Sequence, residues 1–329
     1  MSLLTAEIDR IGAGLPLVYL LLFFGATALM IWRTETMMER GLEGTALGTL
    51  IMPYSSGLGN LIFVFVVASQ RHGGREVVVN CLVNNVTNLT LLIGIPAAIW
   101  GLTVVDGKRR RIREKRAQQV NRLSLLLTAL AVIFFSGTTW ALGRDGSLDL
   151  GDGIVLILIF LFWQVFHVYD VMKTNVAERR GISPLLAVDV TLLLVGAFLL
   201  VTSLDWLVAW LSGLQVPWLG EDQLGWMTGW LMVLPNATLA VYYGWKRQAD
   251  VVYASQIGDG HICIPLCLGV AAVLHPIRLP GVFAPGMILL IGAAVLHFGV
   301  LATFGRVPRW LGIALILAYG VFLYRGALS

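Results

Sequence analysis

The chain has 329 residues, of which 57% are hydrophobic and 13% are charged, with a formal net charge of +4 and a mean hydropathy of +0.82. A soluble globular chain is about 25% charged, so this composition excludes a soluble enzyme and predicts an integral membrane protein with no sizeable soluble domain. Most of the excess positive charge lies in one loop, which indicates an orientation signal rather than a nucleic-acid partner.

Long apolar segments follow one another along the whole chain. A transmembrane helix needs about 20 predominantly apolar residues, and on that basis the sequence predicts ten. They cover residues 15–36, 44–69, 76–102, 123–142, 153–172, 185–210, 223–245, 251–274, 283–304 and 309–325.

Basic residues accumulate in alternate loops between these helices. The largest group falls between Lys108 and Arg122, in the loop 106–122. The positive-inside rule places these loops in the cytoplasm and both termini outside it. We therefore expect an integral protein of the plasma membrane, as in a bacterial inner membrane.

The two halves of the chain resemble each other. LFFGATALM around Gly25 is similar to LLVGAFLLV around Gly196, and the segment ending at Gly94 is similar to the one ending at Gly269. Each copy contains five predicted helices, and an odd number must insert the two copies in opposite orientation. We expect one membrane domain made of residues 1–180 and 181–329, an arrangement typical of secondary transporters.

Amides lie deep in the second and third predicted helices, where lipid tolerates only hydrocarbon. An unpaired polar group in hydrocarbon costs several kcal/mol, so these side chains must face a protein interior, a cavity or a ligand. They are Asn60, Asn80, Asn84, Asn85 and Asn88.

Four short motifs carry a family resemblance. They are SSGLGN (55–60) and VNCLVNN (79–85) in the first half, and LMVLPN (231–236) and ASQIGDG (254–260) in the second. With them the chain resembles the sodium/calcium exchanger family of the cation/calcium exchanger superfamily. The resemblance implies an all-α fold of ten transmembrane helices in two inverted repeats of five, and a cation antiporter.

The resemblance also assigns ligand positions. Asn60 and Asn236 match the two glutamates of the family motifs, Ser56 matches a threonine, and Asn85 matches an Asn or Asp ligand whose second-repeat counterpart is Gly260. In the second repeat, Met232 and Val233 replace the motif hydroxyls.

The chemistry of these positions does not favour calcium. Calcium needs six to eight oxygen ligands with carboxylates among them, whereas asparagine supplies a carbonyl without charge. Asp259, whose first-repeat counterpart is Asn84, is the acid we expect at that depth. One acid suits a proton or a monovalent cation. The predicted ion-binding residues are Ser56, Asn60, Asn84, Asn85, Asn88, Asn236 and Asp259.

Three other interpretations stay open. The chain could be a transport-inactive member that serves as a structural or regulatory subunit of a membrane complex, or a carrier of a neutral or anionic solute that uses helix breaks near Pro53 and Pro235. Asp259 could also be structural, paired with His261 or with a neighbouring helix.

We expect no metal centre, no cofactor and no enzymatic activity. His261 and Cys263 are two residues apart and point to different faces of a helix, so small-residue packing explains them better than a metal site. The sequence has no nucleotide-binding loop and no nucleophile–base pair. Asp189 and Asp205 lie near the ends of the sixth helix, where we expect them to meet water.

Overall fold

The computed structural model describes residues 14–39, 59–61, 63–65, 67–68, 74–105, 112–178, 185–213 and 221–326. This part of the chain is mostly helical. Six of its helices are long and apolar enough to cross a membrane, and residues 15–30 and 150–166 form shorter apolar helices. The second predicted span is described only in part, and Asn60 lies in its helical residues 59–61.

The predicted helices agree with the described ones to within a few residues, except that α4 begins earlier, at Ile112, and α5 ends later, at Glu178. Residues 112–122 are rich in Arg, Lys and Gln, which are good helix formers, so the helix continues beyond its apolar part. The helices are α1 (Leu15–Glu39), α2 (Arg75–Thr87), α3 (Ile93–Trp100), α4 (Ile112–Leu142), α5 (Leu150–Glu178), α6 (Leu185–Gly213), α7 (Glu221–Trp245), α8 (Ala249–Gly258), α9 (Gly260–Ile262), α10 (Leu268–Leu274), α11 (Phe283–Thr303) and α12 (Arg309–Gly326).

Two of the predicted spans contain a π-helical turn. π1 (Asn88–Leu92) joins α2 to α3, and π2 (Cys263–Cys267) joins α9 to α10. These two spans form the centre of the described part of the protein, because 89% and 78% of an apolar 18-residue stretch of each is buried, against 33–50% in the other four helices that are long enough to cross a membrane.

Two short antiparallel ladders connect the helix ends. β1 (Leu102–Thr103) pairs with β4 (Arg306–Val307), with Leu102 opposite Val307. β2 (Ser147–Leu148) pairs with β3 (Ile277–Arg278), with Leu148 opposite Ile277. In each ladder, the strand after the third span of one half meets the strand before the fifth span of the other half.

Glycines let the same helices cross at very short distances. A Cβ atom added to Gly312 in α12 would lie 2.6 Å from the Gly94 carbonyl oxygen in α3, and one added to Gly153 in α5 would lie 2.7 Å from the Gly269 carbonyl oxygen in α10. Such approaches require small residues. The two crossings correspond to each other as the two halves of the sequence do, while the limits 1–180 and 181–329 stay a prediction.

Helices α1 and α6 form an antiparallel pair. Tyr19 stacks on Trp206 with ring centroids 5.1 Å apart, and Gly196 lies against Met30. Arg33 Nη1 is 3.4 Å from Asp189 Oδ1.

The expectation that Asp189 meets water is wrong. Its side chain is only 1% exposed and pairs with Arg33. The sequence pattern around Asp189 could not reveal this, because the partner lies 156 residues away on another helix. Asp205 is exposed, as expected.

The glycine crossing of α3 and α12 gives a stability prediction. Gly312→Ala should lower the melting temperature in detergent, because the new Cβ would lie 2.5 Å from the Ala98 backbone nitrogen and the helices must separate. Gly320→Ala, on the same helix with nothing within 4 Å of its Cβ, should be neutral or stabilising by up to about 1 kcal/mol, since alanine is the better helix former. Equal effects of the two variants would contradict the close crossing.

Candidate ion-binding site

Asn88 is the centre of a buried hydrogen-bond network. Its Nδ2 donates to Asn84 Oδ1 at 2.8 Å and to Asp259 Oδ2 at 3.0 Å. Its Oδ1 accepts from Asn236 Nδ2 at 3.4 Å. All four side chains are at most 1% exposed. The structure therefore brings four of the predicted site residues together, two from each half of the chain.

The helix irregularities occur where these residues lie. Asn84 and Asn88 are one helical turn apart and share a face, and π1 begins at Asn88. Asp259 falls between α8 and α9, and π2 begins four residues later, at Cys263. Single π-helical turns inside α-helices are frequent at functional sites. The Cys263 thiol faces Asp259 Oδ2 at 3.7 Å.

Gln256 joins the network although the sequence analysis did not single it out. Its Nε2 donates to the backbone oxygen of Asn236 at 3.0 Å and to Ser255 Oγ at 3.0 Å. Gln256 lies three residues before Asp259, so the two share a helix face. That spacing is the signal that could have indicated it.

The helix break expected near Pro235 is not observed. Helix α7 runs continuously from Glu221 to Trp245 with Pro235 inside it. Proline is tolerated in membrane helices when neighbouring groups satisfy the freed carbonyl. Pro53 lies outside the described residues, so the anion-binding helix breaks have no support at the position that the structure describes.

Several buried polar atoms, in the network residues and in Asn60 and Asn80, have no hydrogen-bond partner within the described structure. A buried polar group without a partner costs about 1–3 kcal/mol, so such atoms indicate a place for a ligand or an ordered water. They are both side-chain polar atoms of Asn60, Nδ2 of Asn84, and the side-chain oxygens of Asn80, Asn236 and Gln256.

The other predicted site residues are placed differently. Asn60 is buried but makes no hydrogen bond to the network. Asn85 Nδ2 donates to the Cys81 backbone oxygen at 2.7 Å, within its own helix. A Cβ atom on Gly260 would lie 3.1 Å from Asn85 Oδ1, so Asn85 faces Gly260, its counterpart in the second half, which has no side chain. Ser56 lies outside the described residues.

One carboxylate belongs to the network. Among the described residues, the buried acids are Glu76, Asp189 and Asp259. Asp189 is paired with Arg33, and Glu76 lies in the first turn of α2, eight residues and so about 12 Å along the helix from Asn84. Among the described residues, Asp259 is therefore the buried carboxyl group that lies beside the amides.

Two histidines pack near the site without joining it. His297 Nε2 lies 2.7 Å from the Leu89 backbone oxygen, and its Nδ1 lies 3.1 Å from the Tyr253 hydroxyl. Because a carbonyl oxygen only accepts hydrogen bonds, His297 Nε2 carries a proton. It donates this proton to the Leu89 carbonyl and so binds the backbone of π1. His261 Nε2 contacts the Thr128 backbone oxygen at 3.1 Å. Within the described ranges, no group of three or more His, Cys, Asp or Glu residues could hold a metal ion.

Interrupted helices from two halves of a membrane protein, meeting at a buried polar cluster, define the architecture of a secondary transporter. The family model described as "Sodium/calcium exchanger protein" matches residues 11–169 and 188–325. The chain belongs to this family of transporters, which act in the lipid bilayer on small cations. No curated protein sequence is significantly similar to the chain.

Solved structures of the sodium-calcium exchanger NCX_Mj share the fold. The structure soaked with 2.5 mM Na⁺ and 10 mM Sr²⁺ has a TM-score of 0.72 at 19% identity, and the one soaked with 10 mM Na⁺ and zero Ca²⁺ has 0.71 at 18%. In both comparisons, 95% of this chain and 98% of the other are covered. The predicted fold class, an all-α membrane protein with an exchanger-like fold of inverted repeats, is confirmed.

The network predicts that replacing Asn88 and replacing Asn84 by alanine lower the stability of the protein by different amounts. Asn88 makes two hydrogen bonds to other helices, whereas Asn84 is bonded only to Asn88 in its own span. Interhelical hydrogen bonds in membrane proteins are worth about 0.6 kcal/mol on average and at most about 1.7. Asn88→Ala should therefore destabilise the protein by about 1–3 kcal/mol more than Asn84→Ala. Reversible unfolding in mixed micelles would measure this, and an equal or smaller loss for Asn88→Ala would contradict the bridging role.

Proposed function

We propose that this exchanger-family protein is a secondary antiporter whose midplane site binds a proton or a monovalent cation rather than calcium. The observation that carries the proposal is the charge of the site. Asp259 is fully buried and receives a hydrogen bond from Asn88. The network residues Asn84, Asn88 and Asn236 are amides, which bring carbonyl oxygens without charge.

The charge balance disfavours a divalent ion. A buried calcium ion stripped of water leaves one positive charge uncompensated beside a single carboxylate, and an uncompensated charge in a low-dielectric interior is costly. A sodium-like ion or a proton neutralises Asp259 completely. The unpartnered oxygens of Asn236 and Gln256 are suited to complete the shell of a monovalent cation.

We assign the roles as follows. Asp259 binds the cation, and Asn88 orients Asp259 and joins it to Asn236. Asn84 and Asn60 line the route by which the cation reaches Asp259. The α1–α6 pair slides past the other helices to alternate access. The proposal includes the predicted plasma-membrane location with both termini outside the cytoplasm, and the repeats 1–180 and 181–329.

A second candidate function is a transport-inactive subunit of a membrane complex. Met232 favours it, because this residue stands where the family motif has a hydroxyl and its sulfur accepts a hydrogen bond from Asn80 Nδ2 at 3.3 Å. The same Nδ2 also donates to Thr228 at 3.0 Å. A ligand position of the second repeat has thus become part of the helix packing.

Flux measurements in proteoliposomes test the proposal. The wild-type protein should exchange a monovalent cation or protons across the membrane, and Asp259→Asn should abolish the exchange because the site loses its charge. Asp205→Asn removes an exposed carboxylate of α6 and should leave the flux unchanged. Absence of flux for every cation tested, or flux indifferent to Asp259→Asn, would reject the antiporter proposal. The first of these outcomes would favour the inactive subunit.

Adding carboxylates to the site tests whether the lack of negative charge is what disfavours calcium. The double variant Asn60→Glu/Asn236→Glu adds two carboxylates at the positions that match the family's glutamates. We expect Ca²⁺ to raise the melting temperature of the double variant and to leave the wild type unaffected, since ligand binding stabilises the folded state. A matched double variant, Asn60→Gln/Asn236→Gln, keeps the amides and should not respond. A calcium-dependent shift in the wild type would show that the amide site already accepts the divalent ion.

A further inference from the structure

A groove separates α1 from α7 on the side of the protein that faces lipid. Its cavity volume is about 300 Å³, at the lower end of small-molecule sites. Its lining is apolar, because its two threonine hydroxyls donate to carbonyls one turn earlier in their own helices. The groove is lined mainly by Phe24, Ala28 and Trp32 of α1 and by Leu239 and Tyr242 of α7.

Two cations stand against the aromatic rings of this groove. The guanidinium carbon of Arg33 lies 3.5 Å from the ring centroid of Trp32, and Lys246 Nζ lies 4.3 Å from the ring centroid of Tyr242. Arg33 directly follows Trp32 in the chain, and Lys246 lies about one helical turn after Tyr242. The groove therefore has an apolar body and a positively charged end.

Arg33 has an N–H donor that no residue in the described part of the chain accepts. Its Nη1 faces Asp189 at 3.4 Å, but its buried Nε has no hydrogen-bond partner in the described structure. Guanidinium groups bind phosphate through paired N–H donors. An unused donor at the charged end of an apolar groove points to an anionic group with a hydrocarbon tail.

We propose that the groove binds a phospholipid with an anionic headgroup. The acyl chain occupies the apolar part between α1 and α7, and the phosphate lies between Arg33 and Lys246. The exposure of Trp32 (56%) and Tyr242 (37%) opens the groove to the bilayer, which favours a lipid over a soluble anion. In the orientation proposed above, this lipid belongs to the cytoplasmic leaflet, where anionic lipids attract basic residues.

The position of the lipid has a consequence for the helix pair. Arg33 also binds Asp189 of α6, so a phosphate on Arg33 competes with or extends that ion pair. The acyl chain fills the space between α1 and α7. An occupied groove therefore restrains the α1–α6 pair relative to α7, and this step alone rests on the proposed sliding of that pair.

The first experiment compares two lipids that differ only in headgroup. Purified protein in detergent is titrated with phosphatidylglycerol or with phosphatidylcholine carrying the same chains, and bound lipid is counted by native mass spectrometry. We expect phosphatidylglycerol to bind more tightly, and Lys246→Gln to weaken its apparent affinity about fivefold, from the attraction of one basic residue. Arg309→Gln removes an exposed basic residue at the start of α12 and should have no effect.

The second experiment fills the groove. Ala28→Trp places an indole where the acyl chain lies and should abolish the preference for phosphatidylglycerol, while Ala314→Trp, on an exposed face of α12, should preserve it. Equal binding of the two lipids, or an undiminished affinity in both Lys246→Gln and Ala28→Trp, would overturn the proposal. Competition by inorganic phosphate alone at similar concentration would also overturn it, because the site would then recognise a free anion.

Discussion

The hydrogen bonds of Asn88 are the interaction on which the centre of this protein depends. Every polar group that the bilayer surrounds must find its partner inside the protein, and Asn88 provides partners for Asn84, Asp259 and Asn236 at once. Because these residues come from both halves of the chain, one amide fixes how the two most buried spans and α7 meet. The remaining helices pack around that centre, and the glycines at the two equivalent crossings allow the third span of each half to approach the fifth span of the other.

Much of this architecture could be predicted from the sequence. Hydropathy gave the helices because the bilayer requires runs of about 20 apolar residues, and the deep amides of the third span had to be buried for the same reason. The structure brings Asn84 and Asn88 into one hydrogen-bond network with Asn236 and Asp259, while the ion-binding role of these residues stays a prediction. The motifs indicated the family, which the family model confirms, and solved exchanger structures share the fold.

What the sequence could not predict depends on partners that are distant along the chain. The ion pair of Arg33 with Asp189 joins residues 156 positions apart, and no local pattern distinguishes such an aspartate from one at the water boundary. His297 was missed for the same reason, since it acts through a backbone carbonyl of another helix, whereas the spacing of Gln256 from Asp259 could have indicated Gln256. The continuous helix at Pro235 shows the converse, because the local rule for proline is overridden when neighbouring helices satisfy the freed carbonyl.

The residues that determine the fold and the residues that determine the cargo are different sets. Glycine crossings, short ladders and the α1–α6 pair require small volumes and close contacts, and they tolerate any chemistry at the midplane. The midplane site depends on charge, where an amide in place of a glutamate changes the ion that can be neutralised while it changes the side-chain volume very little. Asn60 and Asn236 are therefore compatible with an exchanger fold, and as amides they bring no carboxylate to balance a divalent ion. Function must be argued from the site, and in the proposed antiporter the buried carboxylate of Asp259 sets the charge that a cargo has to match.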